Sequence, residues 1–189
     1  MRTYEIGFIV GSLSSTSINR QLARALQRLA PPELRLAEIA IRELPLYSPD
    51  YDADLPAAAR TFKQAIADAD ALLIVTPEYN RSMPGAMKNA LDWASRPRGS
   101  NSLARKPVGT IGASPGALGT ALAQQHLRAV LSCLNAPQML APEAYVQFKA
   151  GLVAEDGSVT NEATAAFLRR YVAEFHAFVA RMAALPAQA

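Results

Sequence analysis

A lone cysteine, Cys133, rules out an intrachain disulfide. It lies in the apolar stretch Val130-Leu131-Ser132-Cys133-Leu134, where a buried, inert thiol is expected. Charge is scarce too. Only 19% of residues are charged, against roughly 25% in typical globular domains, which points to surface buried in subunit contacts. Lys and Arg total 19 and Asp and Glu 16, a net charge of +3. No dense basic block occurs, the nearest being Arg96-Pro97-Arg98 with Arg105-Lys106. A nucleic-acid footprint needs a broader basic face, so none is expected. The mild excess suits solubility and attraction of anionic substrates. No group of His, Cys, Asp and Glu has metal-ligand spacing, so no metal is expected. No window of 18 apolar residues exists, so no membrane span is expected. The first residues, MRTYEIGFIVGS, carry an apolar run of strand length but neither the apolar core nor the cleavage site of a signal peptide. The cytoplasm is therefore the expected compartment.

Half of the residues are hydrophobic, enough for a full core, and 189 residues suit one domain over 1–189. Apolar runs of strand length alternate with stretches of helical period. Strands are expected at Tyr4–Val10, Leu34–Ile39, Ala71–Val75 and Pro107–Ile111, with weaker extended segments at Gln138–Leu140 and Tyr145–Phe148, for five strands in all. The run Ala71-Leu72-Leu73-Ile74-Val75 is continuously apolar, as in a parallel strand buried on both faces. Helices are expected at Asn19–Leu29, Ala57–Ala69, Gly85–Ala94, Ala117–Leu134 and Thr160–Met182. Pro31-Pro32 ends the first of them. Pro45–Pro56 is a loop, and Ala183–Ala189 is a frayed tail. The alternation argues for right-handed βαβ units and a doubly wound α/β sheet.

In such sheets ligands bind beyond the carboxyl ends of the strands, so the loops after strands one, three and four carry the chemistry. The first, Gly11 to Arg20, offers the hydroxyls of Ser12, Ser14, Ser15, Thr16 and Ser17 and the amide of Asn19, and it runs into a helix N-terminus. Free amides and the helix dipole attract an anion there, and hydroxyls suit a phosphate monoester. The loop lacks Gly-Lys-Ser/Thr and G-x-G-x-x-G, which disfavours nucleoside triphosphates and the usual dinucleotide mode. Its plainer reading is a connection with Ser17 as helix cap. The second loop, Thr76 to Gly85, is stiffened by Pro77 and Pro84 and carries Tyr79 and Met83 among polar residues, which suits a flat apolar ligand. The third, Gly112 to Gly119, is built of small residues that let a ligand approach backbone, and Ser114 could bond the edge of a ring. Each loop also reads as an ordinary turn. Together they converge on one crevice.

The pattern Gly11-Ser12-x-x-x-x-Ser17-x-Asn19, followed by Pro77-Glu78-Tyr79-Asn80-x-Ser82-x-Pro84-Gly85-x-x-Lys88-Asn89-x-x-Asp92-Trp93-x-Ser95-Arg96, resembles the NAD(P)H-dependent FMN reductase family, which includes bacterial chromate and quinone reductases. The resemblance runs from about Ile6 to about Glu143. It implies a flavodoxin-like five-stranded parallel sheet, order 2-1-3-4-5, with helices on both faces. FMN is the implied cofactor and NADPH or NADH the co-substrate. Ser12, Ser14, Ser17, Ile18 and Asn19 fall on the phosphate loop, Pro77, Glu78, Tyr79 and Asn80 along the isoalloxazine, and Ser114 and Gly116 near its other edge. A homodimer or homotetramer with FMN near a subunit interface is also implied. Ser14 departs from the family, which commonly has Arg there. The loss of a charge-assisted contact would loosen FMN unless Arg20 or another loop cation compensates.

The implied reaction passes hydride from the nicotinamide to flavin N5, then electrons to a small acceptor such as a quinone or free flavin. One site shared by donor and acceptor predicts ping-pong kinetics. No protein acid or base is required for hydride transfer, so no catalytic residue is named. Glu78 is expected to serve structure, His126 helix packing or a subunit contact, and Trp93 to pack near the site or an interface. His176, in the last helix, is read like His126. Arg81 could meet the extra phosphate of NADPH or simply be solvated. Lys88 and Asp92, four apart, suit a surface pair. A non-enzymatic carrier of flavodoxin type is the alternative, although this chain is basic where those carriers are acidic. A phosphate-receiving regulatory domain would need Asp at the end of the first strand, where Val10-Gly11-Ser12 stand.

Overall fold

The computed structural model describes residues 2–185. Strands β1 (Tyr4–Val10), β2 (Leu34–Glu38), β3 (Ala71–Val75), β4 (Val108–Ser114) and β5 (Tyr145–Gln147) form one parallel sheet in the order β2-β1-β3-β4-β5. Helices α1 (Ile18–Leu29), α2 (Ala57–Asp68), α3 (Gly85–Ser95) and α4 (Ala121–Cys133) make the crossovers, α5 (Glu162–Ala183) follows β5, and a 3-10 turn, Pro49–Tyr51, interrupts the proline-rich loop.

Alternation along the strands divides the interior into two cores. Ile6, Phe8, Val10, Leu73, Val75 and Ile111 face α1 and α5, where Leu22, Leu26, Leu168, Tyr171 and Phe175 meet them. Ile9, Leu72, Ile74 and Val108 face the other way, onto Phe62, Ile66, Met87, Trp93, Leu127 and Leu131 of α2, α3 and α4. All five residues of β3 are therefore buried, as a strand covered on both faces must be. Tyr171, inside the first core, donates its hydroxyl to the Thr110 carbonyl at 2.8 Å, and burial pushes its phenol above the ordinary range.

Several element ends shift by a residue or two, and the extended piece expected at 138–140 is only an isolated bridge from Gln138 to Val108; other details differ more. β4 continues to Ser114, because Gly112, Ala113 and Ser114 pair with Tyr145, Val146 and Gln147. α4 begins at Ala121 and not Ala117, since Gly119 adopts φ +57 hard against the backbone of Tyr145, where a Cβ would lie 2.7 Å from a carbonyl carbon. Cys133 is exposed and not buried. The inward stripe of α4 is Ala123, Gln124, Leu127 and Leu131. Two residues beyond Leu131 the helix has turned by about 200°, which points Cys133 outward. Ala183 is helical, and the rest of the expected frayed tail lies in part outside the described residues.

Candidate functional site

The carboxyl ends of β1, β3 and β4 lie side by side, so their loops meet. Loop one is folded on itself. Ser12 Oγ accepts from the Ser14 amide at 3.3 Å, Ser14 Oγ accepts from the Thr16 amide at 3.2 Å, and the Ser14 and Thr16 hydroxyls lie 3.2 Å apart. Ser17 caps α1, accepting from the Arg20 amide at 3.2 Å. No acidic residue stands in the first turn of α1, and the Ile18 and Asn19 amides there have no helical acceptor. The result is a neutral, hydroxyl-lined pocket at a positive helix end. Asn19 does something different. Its amide group is buried, donates to the Ala113 carbonyl at 2.8 Å and accepts from the Ala113 amide at 2.9 Å. Both side-chain functions are spent on joining α1 to the end of β4.

Loop two makes a tight hairpin in which the Tyr79 and Ser82 backbones exchange hydrogen bonds at 2.9 and 3.0 Å, while Asn80 and Arg81 take φ of +50 and +64. Glu78 turns its carboxylate into α4, accepting from the amides of Leu122 at 3.0 Å and Ala123 at 3.1 Å. Ser82 Oγ lies 2.8 Å from His126 Nδ1. Pro84 precedes α3 at its cap position. Farther along α3, Lys88 and Asp92 pair at 2.7 Å, and buried Trp93 donates to the Pro45 carbonyl at 2.7 Å. Loop three keeps Ser114 half-buried, with its Oγ accepting from the Gly116 amide at 3.2 Å. Gly112 beneath it admits no side chain, since a Cβ would stand 2.0 Å from the Thr76 carbonyl oxygen.

These loops enclose a cleft of about 220 Å³ lined by Ser12, Ser14, Thr16, Ser17, Ile18, Asn19, Pro77, Glu78, Tyr79, Ala113, Ser114 and Pro115. Nine of the expected site residues line it. Asn80 and Gly116 do not; both are exposed at the tips of their turns. Thr16, Ala113 and Pro115 line the cleft without having been singled out. All three lie inside the stretches already marked, but Ala113 stands there as part of β4, which runs on past Ile111, and not as loop. Arg20, the expected compensating cation, pairs with Glu38. Arg42, which no local pattern connects to loop one, donates to the Leu13 carbonyl.

The hydroxyl and amide donors of loop one fit a phosphate monoester, because the hydroxyls are tied only to nearby backbone or to each other and, among the described residues lining the cleft, the one carboxylate, Glu78, is turned into α4. The flanking Pro77, Tyr79 and Pro115 fit a planar ring.

Residues 4–151 match the profile of a family described as NADPH-dependent FMN reductase. A 2-hydroxy-1,4-benzoquinone reductase from a Burkholderia species is 50% identical over 175 residues, covering 93% of this chain and 96% of the relative. A quinone reductase from Pseudomonas putida is 42% identical over 179 residues, covering 94% of this chain and 96% of its own. Among solved structures, the flavoenzyme NAD(P)H:(acceptor) oxidoreductase FerB from Paracoccus denitrificans superposes with a TM-score of 0.92 at 44% identity, covering 95% of this chain and 99% of that one.

Proposed function

From the premise that this chain belongs to the NADPH-dependent FMN reductase family, and is an NAD(P)H-dependent oxidoreductase that uses FMN, we propose where the flavin sits and what it reduces. The phosphate rests against Ser12, Ser14, Ser17 and the first-turn amides of Ile18 and Asn19. The ring lies between Pro77–Tyr79 and Ser114. The observation that carries this is the single cleft in which all three loops meet. Asn80, at its tip, and Gly116, through its bond to Ser114, shape the turns that hold the ring. Residues 2–185 then act as one FMN-binding unit.

When bound, FMN supplies the hydride-accepting centre and passes electrons on. The protein's own part is to bind, orient and shield it. Loop one neutralises the phosphate with hydrogen bonds and helix dipole instead of a cation at position 14. Arg42, held at the Leu13 carbonyl, supplies the nearby positive charge that Ser14 does not. The acceptor is a quinone, in line with the two relatives, and donor and acceptor use the same open side of the cleft in turn. Leu13, Tyr79 and Leu118 stand 37%, 50% and 55% exposed on the three loops, an apolar rim that a second copy of the chain would cover. A homo-oligomer in the cytoplasm, where nicotinamide coenzymes are available, completes the reading.

The purified protein should show the visible bands of oxidised flavin, bleached by NADPH without air and restored by a benzoquinone. A colourless protein that takes up no FMN would sink the assignment. The same assay with chromate in place of quinone tests the other acceptor class, and light scattering in solution tests the oligomer.

A further inference from the structure

We propose that Glu78 is a positioning residue: its carboxylate supplies the cap that α4 lacks, clamps loop two to that helix, and cancels the helix's positive end beside the cleft. The inference rests on the FMN reading above for its redox part and on geometry alone for the rest.

α4 starts without a cap of its own. Thr120, at the cap position, makes no capping bond with its side chain; its Oγ1 instead accepts from Gln124 Nε2 at 2.9 Å. The amides of the first turn must still be satisfied. Ala121 donates to the Leu118 carbonyl at 3.3 Å and Gln124 to the Thr120 carbonyl at 3.0 Å. The two between them, Leu122 and Ala123, both donate to one oxygen of Glu78, which comes from a loop 44 and 45 residues earlier. The Glu78 side chain is only 9% exposed, and its other oxygen has Arg81 Nη1 at 3.8 Å. A carboxylate so far from water is held by those two amides, with the Arg81 guanidinium at the edge of ion-pair range.

The same helix grips loop two a second time, through His126 and Ser82 at 2.8 Å. Between the two grips lie Asn80 and Arg81, both in the left-handed region that non-glycine residues disfavour. The hairpin closes on its own Tyr79–Ser82 backbone bonds, and α4 pins it from outside on both sides of the turn, which fixes the backbone of Pro77–Tyr79 that lines the cleft.

The electrostatic consequence follows from sign. A helix N-terminus favours negative charge, so an uncapped α4 would stabilise reduced, anionic flavin. A carboxylate on that terminus removes the bias and leaves the reduced ring readier to give electrons away.

Two variants separate these roles. Glu78→Gln keeps an oxygen for the two amides and removes the charge. Glu78→Ala removes both. In flavin-free protein, hydrogen exchange at the Leu122 and Ala123 amides should quicken at least tenfold in Glu78→Ala and little in Glu78→Gln. With FMN bound, Glu78→Gln should raise the ratio of reduced to oxidised flavin at a fixed solution potential by about fivefold. Unchanged exchange in Glu78→Ala overturns the cap, and an unchanged ratio in Glu78→Gln overturns the charge role. Failure of the wild-type protein to take up FMN would overturn the flavin reading and the charge role with it, while the exchange data would still decide the cap.

Discussion

Loop one and loop two both follow a buried parallel strand and both lead into a helix, yet they are held in opposite ways. In loop one the hydroxyls of Ser12, Ser14 and Ser17 bond to groups two or three residues away. In loop two the side-chain contacts go to α4, 44 residues on, through Glu78 and Ser82. The first loop is a local object that its own hydroxyls fold. The second is a hairpin closed by its own Tyr79–Ser82 backbone pair and pinned in place by another element. A phosphate site tolerates the first arrangement, since hydroxyls can exchange loop partners for ligand oxygens. A ring needs fixed walls, which only the second provides.

Asn19 is the exception that tests the contrast, because it ties the end of loop one to Ala113, 94 residues later. Asn19→Ala leaves the Ala113 amide and carbonyl short of their buried side-chain partner, and should cost about 3 kcal/mol of stability by urea unfolding. A loss no larger than that of a helix cap would break the idea that long-range joints dominate this edge.

The next effect concerns binding. Ser14→Arg places a cation where loop one has only hydroxyls, and should tighten FMN by about tenfold, or about 1.4 kcal/mol, by fluorescence titration. Unchanged affinity would mean that Arg42 and the helix terminus already meet the charge of the phosphate. The smallest effect is local. Ser17→Ala removes the cap of α1 and should cost about 1 kcal/mol by thermal unfolding. A cost above that of Asn19→Ala would reverse the ranking and make loop one the stronger anchor.

The legibility of the site follows the same division. Nine of eleven expected residues line the cleft, and the hydroxyl loop with its Ser17 cap stands where sequence places it, because hydroxyls before an apolar helical period are a neighbourly pattern. The family resemblance puts Asn19 on the phosphate, but its side chain is spent on Ala113, a partner no spacing announces. Asn80 and Gly116 lie at turn tips because positive φ at Asn80 and Arg81 and the short turn after Ser114 carry them out. Cys133 sits in an apolar run, yet the phase of α4 turns it to solvent.

Sequence by itself determined the alternation of strands and helices, the doubly buried β3 and the anion-seeking start of α1, since each depends on residues within one or two turns of chain. Tertiary structure alone decided the reach of β4 to Ser114, the cap that Glu78 lends to α4 and the arrival of Arg42 at loop one. A hydrogen bond between groups 29 to 45 residues apart is set by how the elements dock on one another, and no periodicity in the chain encodes that docking.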